Sequence, residues 1–378
     1  MTETRSNAQD AATERTKAFL RMRLVSGLSL RACHVLLAHF KVPQAVLAAQ
    51  PQDLRRLSLS SDLVDNLLSN RSADAAEAEW EKAIKYEVRL VDLHSPDYPR
   101  LLREIFDPPM VLYIRGSRGS WDEPQVAIVG ARRATPYGIN CAHRLAEDLA
   151  SRGITIVSGL ARGIDTAAHR GAMTEGKTIA VFGTGVDRVY PGENRKLAEL
   201  VETNGAILSE FPMETPPLPH HFPLRNRILA GITLGTIVIE AAEHSGSLIT
   251  ARLALEANRE VFAVPGPITS RQSFGPHLLI RQGARLVSDW QDVTEELPFE
   301  IQQRIDSMTE KENQPAGSEL DEGQRTVQNA LSLSEPVAID TLLSKLALAP
   351  PDVYTALLHL EIRGVIRQLP GSRYILNS

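Results

Sequence analysis

Cysteine is nearly absent. Cys33 and Cys141 are the only two in 378 residues, and each sits within a helical pattern. Two such residues exclude a disulfide framework and a cysteine zinc site, and they suit a reducing compartment. Long apolar runs are missing as well: none approaches the roughly 20 residues that span a bilayer, so no membrane segment is expected. The opening stretch MTETRSNAQDAATER lacks an apolar signal core and reads as a disordered cytoplasmic tail over residues 1–15.

Several kinds of chemistry are missing too. One Gly-Lys-Thr triplet occurs, Gly176-Lys177-Thr178 at the end of GAMTEGKT, but it leads into the strand-like run TIAVFG, whereas a phosphate loop follows a strand and opens a helix. A dinucleotide fingerprint needs three spaced glycines after a strand, and VAIVGARRATPYG supplies Gly130 and Gly138 alone. Asp165 and His169 stand four apart in GIDTAAH, close enough on a helix to hydrogen-bond, with Ser158 just upstream. No GxSxG elbow presents that serine, so the pair reads as a tie at a helix start. No His, Asp or Glu cluster has metal-ligand spacing. The reading is of a protein without catalytic residues, metal or cofactor.

Net charge is −5, which by itself argues against a nucleic-acid binder. The acidity is local, however. Residues 126–290 hold 17 Lys and Arg against 15 Asp and Glu, whereas residues 291–325 hold 3 against 10. The negative charge therefore belongs to one segment and does not describe the centre of the chain.

Residues 16–85 alternate apolar and polar positions at helical spacing, predicting a small helical domain of sterile-alpha-motif or helix-hairpin-helix type. Residues 88–116 read as strand, turn, short helix, strand. From residue 126 the runs QVAIVG, ITIVSG, TIAVFG, AILSEF, GTIVIEA, REVFAVPG and ARLVSDW alternate with amphipathic stretches. Continuous apolar strands between helices predict an α/β fold: an extended Rossmann-like, mostly parallel sheet covered on both faces, over residues 86–298. An acidic linker follows over 299–321. Residues 322–378 then read as three helices and two strands, a winged helix. Its third helix, PDVYTALLHLEIRG, offers Arg363 as a cation against Asp352 and Glu361, which favours protein contact over groove binding.

In a parallel sheet the ligand site lies beyond the carboxyl ends of the strands. The distinctive residues fall there, including Gly130, Arg132, Arg133, Gly159 and Ser209. HSGSLITARLALEA sets Ser245, Gly246 and Ser247 at a helix start, where free N–H groups suit phosphate and glycine allows close approach. FPLRNRILAG adds Phe222, Arg225, Asn226 and Arg227. Two arginines in the first turn of a helix oppose its dipole, so an acid or an external anion must justify them. Being two apart they diverge: one is expected at the ligand and the other paired internally, for instance with Glu240 or Asp165. Phe222 is either a stacking face for a base or a hydrophobic staple before the helix.

Taken in order, DPPMVLYIRG, VAIVGARRATPYG, IVSGLARGIDTAAH, GTGVDRVYPGEN, SEFP, HFPLRNRILAG, IEAAEHSGSLITARLALEANREVFAVPG and LLIRQGA resemble the DNA-processing protein A family (DprA, also called Smf). The resemblance covers residues 96–287. It implies a cytoplasmic, homodimeric protein that binds single-stranded DNA and loads the recombinase RecA during natural transformation. It implies DNA contacts at Arg132, Phe222, Arg225 or Arg227, Gly246 and Ser247, with Asn194 and Ser209 shaping the pocket. The chain departs from the family pattern at Ala131, at the Pro-His-His of 219–221, and at His277 in place of an asparagine. The rival is a Rossmann-like nucleoside-monophosphate phosphoribohydrolase of the lysine-decarboxylase-like family. Its Pro-Gly-Gly and Gly-Thr motif, with an acid close behind, has no counterpart here.

Overall fold

The computed structural model describes residues 2–116, 121, 123–313, 321–332, 336–362 and 365–376. The chain divides into two compact units, Met1–Ile305 and Asp306–Ser378.

The first unit opens with helices Thr2–Leu24, Leu30–Phe40, Pro43–Leu47, Pro51–Arg56, Ser61–Leu68 and Asn70–Lys85. Residues 2–15 of the expected tail are instead the beginning of the first helix. Its anchor is long-range: Arg15 Nε and Thr16 Oγ1 bond the buried Asp92 carboxylate at 2.9 and 2.7 Å. The boundary read at residue 85 is no break in the core either. Phe19, Leu36 and Leu67 of these helices share one apolar cluster with Leu112 and Val181 of the sheet.

Nine strands follow: β1 (Arg89–Asp92), β2 (Val111–Arg115), β3 (Gln125–Val129), β4 (Thr155–Ser158), β5 (Thr178–Val181), β6 (Ala206–Ser209), β7 (Gly235–Val238), β8 (Glu260–Ala263) and β9 (Arg285–Leu286). They order as β1-β2-β6-β5-β4-β3-β7-β8-β9. All pairings from β6 through to β9 are parallel, while β1–β2 and β2–β6 are antiparallel. Strands β3 to β7 are buried along their whole length, the reason their sequences read as unbroken apolar runs. Strand β3 lies between β4 and β7, so the winding reverses at its carboxyl end. That is the topological switch point, where such sheets open a crevice.

The segment expected as an acidic linker is helical over Phe299–Asn313. Ile301 and Ile305, one helical turn apart, pack with Val293 and Leu297 and give that helix an apolar anchor. Residues 314–320 of the expected linker lie outside the described residues, as does Arg363.

In the second unit, helices Glu322–Asn329, Ile339–Lys345 and Pro350–Ile362 accompany β10 (Val337–Ala338), β11 (Ile366–Leu369) and β12 (Arg373–Leu376). The strands pair antiparallel in the order β10-β12-β11. Val327, Leu342, Val353, Leu357, Leu360 and Ile366 form its own core. This is the winged helix read from the sequence, with one further short strand. Among the described residues no helix is long and apolar enough to cross a membrane.

Candidate functional site

A cavity of about 780 Å³ opens at the switch point. Loops after β3, β4, β7 and β8, and helices beside them, build it. The turn after β3 brings Gly130, Arg132 and Arg133; the turn after β7 brings Ser245, Gly246 and Ser247; helix His221–Ile232 brings Phe222, Arg225 and Asn226. These nine residues, all named from the sequence, therefore line one space.

Arg132 and Arg133 are exposed, and neither has an ion-pair partner among the described carboxylates. Arg132 holds its guanidinium 5.5 Å from the centre of the Phe222 ring. Phe222 itself is half-buried, its ring 5.6 Å from that of Tyr190. The helix begins at His221, so Phe222 lies inside it. A staple residue sits ahead of the N-cap, and that reading fails.

The same helix start moves both arginines out of the first turn. Arg225 is buried, with Nη1 donating to the carbonyls of Gly159 (2.7 Å) and Val181 (2.5 Å) and Nε to Asn226 Oδ1 (3.2 Å). Burial lowers its pKa to about 10, with Asp165 opposing, so it stays charged at neutral pH. Arg227 points elsewhere and does not line the cavity. Its Nη2 bonds the buried Glu210 carboxylate, and its Nε lies 3.4 Å from Asp107 Oδ2. The internal acids are thus Glu210 and Asp107. Glu240 or Asp165 was expected in that role, but Glu240 accepts from Thr135 N at 2.9 Å and Oγ1 at 2.5 Å, at the start of helix Pro136–Ser151, and Asp165 accepts from backbone N–H groups.

Asp165 and His169 do not bond each other as expected. Asp165 accepts from the N–H groups of Gly159 (3.1 Å) and Ala161 (3.3 Å). Burial raises its pKa, opposed chiefly by the charge of Arg225. His169 Nδ1 lies 2.7 Å from Thr178 Oγ1, whose own proton goes to Ile156 O. Nδ1 therefore carries the ring proton, and burial pushes the imidazole pKa down to about 3. Ser158 donates to Ile128 O, so no serine–histidine–aspartate relay exists.

Helix Gly246–Glu256 begins at the cavity. Its N-cap Ser245 Oγ accepts from Ser247 N at 3.4 Å and lies 2.7 Å from Ser247 Oγ. A Cβ at Gly246 would meet nothing within 4 Å, so the backbone there is open to a ligand. Asn226 Nδ2 donates to Gly246 O at 3.4 Å and ties the two helices together.

Gly159, Asn194 and Ser209 do not line the cavity; they hold the loops behind it. A Cβ at Gly159 would strike the Arg225 guanidinium. Asn194 Nδ2 donates to Leu160 O at 2.9 Å, and Ser209 Oγ donates to Thr184 O at 2.6 Å. Burial lowers the pKa of His221, with His220 adding to it, so this position carries no cation at neutral pH.

Sequence reasoning missed Arg271, Gln272 and Phe274, which close the cavity from the loop after β8. The available signal was Pro265-Gly266 at that strand's carboxyl end, since the loop it opens must also reach the crevice. Gln272 anchors the loop, its Nε2 donating to Arg133 O (3.3 Å) and its carbonyl accepting from Ala241 N (2.7 Å).

The family model described as DNA recombination-mediator protein A matches residues 89–298, and the DprA winged helix domain matches residues 311–372. The chain is similar to Protein Smf of Escherichia coli (strain K12), 41% identical over 292 residues, covering 75% of this chain and 76% of the relative. Protein Smf of Synechocystis sp. is 34% identical over 89% of this chain and 92% of the relative. Among solved structures, DNA processing protein A from Streptococcus pneumoniae superposes with a TM-score of 0.69 at 35% identity, over 75% of this chain and 98% of that one. DNA processing protein A from Helicobacter pylori, solved for its single-stranded DNA binding mode, gives a TM-score of 0.50 at 31% identity. That match covers 60% of this chain and 97% of that one.

Proposed function

The chain belongs to the DNA recombination-mediator protein A family, and on that premise we propose that it binds single-stranded DNA at the switch-point cavity. One observation carries this reading. Arg132 and Arg133 are exposed cations without described acid partners, at a cavity that also offers an open helix start and an aromatic face. Phosphates meet guanidinium and amide donors, and a base meets Phe222, a pairing worth about 1–3 kcal/mol in single-strand binders. The structure of the Helicobacter pylori relative, described by its single-strand binding mode, supports the same ligand class.

The finer parts of the proposal rest on family membership. The protein acts without catalysis, as a homodimer in the cytoplasm, handing incoming DNA to RecA during natural transformation. Support for the non-catalytic part is local: Ser158, Asp165 and Glu240 hold structural bonds, and the Nδ1 of His169 is bonded to Thr178.

A gel shift comparing oligo-dT with a matched duplex tests the main claim. Single strands are expected to bind tightly, with affinity falling steeply as salt rises, and duplex much more weakly. Equal affinity for both would sink the reading. Arg132→Ala is expected to remove most single-strand binding with no change in thermal unfolding, because the side chain is exposed. Release of ribose 5-phosphate from AMP would instead restore the phosphoribohydrolase.

A further inference from the structure

A second cavity, of about 380 Å³, adjoins the first and shares Arg271 and Phe274 with it. Its floor is helix Phe274–Arg281. Phe274, His277, Leu278 and Arg281 all line it, at the i, i+3, i+4 and i+7 positions that form one helical face. Opposite stand Arg271 and Ile268.

The chemistry of this face is of one kind. Arg271 and Arg281 are exposed, with no described carboxylate partner, and no acid lines the cavity. Phe274 is 44% exposed, and no other described ring covers it. His277 Nε2 lies 2.9 Å from Gly266 O, so it bears the ring proton and braces the loop that carries Arg271. Cations flanking an aromatic face suit a phosphate backbone with stackable bases. The shared Arg271 makes the two cavities consecutive stations for one polyanion.

Building on single-strand binding at the first cavity, we infer that the second cavity is a further nucleotide subsite on the same strand. Arg271 bridges the two cavities along the phosphate backbone, Arg281 takes the next phosphate, and Phe274 stacks a base. Sequence readout is not implied, because stacking and phosphate contacts serve every base.

The full-length chain and labelled oligo-dT of about 4 and about 16 nucleotides, read by fluorescence anisotropy across a salt series, test the subsite. Arg281→Ala is expected to bind the short oligonucleotide as the unsubstituted protein does. For the long one it should bind more weakly, with a slope of log affinity against log salt shallower by about 0.7. Phe274→Ala is expected to weaken the long oligonucleotide by about tenfold. Both side chains are exposed, so unchanged melting curves show that the fold is kept. Unaltered long-strand binding in both variants overturns the subsite alone and leaves Ile268 and Phe274 as a protein-docking surface. Equal weakening of both lengths by Arg281→Ala also overturns it. An unsubstituted chain that binds neither length overturns the single-strand reading together with the subsite.

Discussion

Arg225 and Arg227 are two residues apart on one helix, and the fold gives them different work. Arg225 is held by two carbonyls and lines the cavity; Arg227 turns away to Glu210 and Asp107. Breaking a buried ion pair by removing one partner leaves an uncompensated charge and costs about 3–5 kcal/mol. Glu210→Ala is therefore expected to lower unfolding stability by about that amount in urea titrations. Affinity of the folded fraction for oligo-dT should remain near normal. A Glu210→Ala chain that is fully stable yet fails to bind would assign Arg227 to the ligand instead. Gly159 is the silent member of this group, since any side chain there would displace the Arg225 guanidinium.

Between elements, the buried His169 ties helix Ile164–Glu175 to the sheet through Thr178 at the start of β5 and, through that hydroxyl, to β4. Burial pushes its pKa down to about 3 from the ordinary 6.5. A depressed histidine is neutral when folded and takes a proton when unfolded. Its contribution is present above pH 6.5 and is lost as pH falls toward 3. The slope is at most about 1.4 kcal/mol per pH unit. Urea titrations between about pH 5 and pH 7 should show this loss in the unsubstituted chain and a flatter acid limb in His169→Asn. Parallel pH dependences would remove His169 from the account. The same helix carries Asp165 at its start, so one element presents a wall to the cavity and is locked to the sheet one turn further on.

At the scale of the whole molecule, every residue of both cavities lies in the unit Met1–Ile305, and so do the two apolar clusters that support them. The winged helix has a separate core. A chain ending after Asn313 is expected to unfold cooperatively and to bind oligo-dT with the affinity and salt dependence of the full chain, measured by anisotropy. A large loss of affinity in that truncated chain would show that the winged helix contributes to the strand. The N-terminal helices are different: Phe19, Leu36 and Leu67 complete the core under the sheet, so they are part of the same folding unit.

The parallel sheet was legible because strands buried on both faces must be apolar throughout. Its site was legible because turns at the carboxyl ends of those strands carry Gly130, Arg132, Gly246 and Ser247, residues that chain connectivity alone sends to one edge. The helix Thr2–Leu24 was not legible: its polar beginning has no apolar period, and its anchor at Asp92 is 76 residues from Thr16. Nor was the pairing of Arg227, because Glu210 comes from another strand end and Asp107 from the loop before β2. Phe274 and Arg271 were missed although Pro265-Gly266, just after β8, marks the loop that leads to them. By itself the sequence determined the layers, the two units' fold classes and the edge on which a ligand would sit, all set by local burial and turn chemistry. Tertiary structure alone decided which charges are spent inside and which are left free, because that depends on partners brought together only when the chain closes on itself.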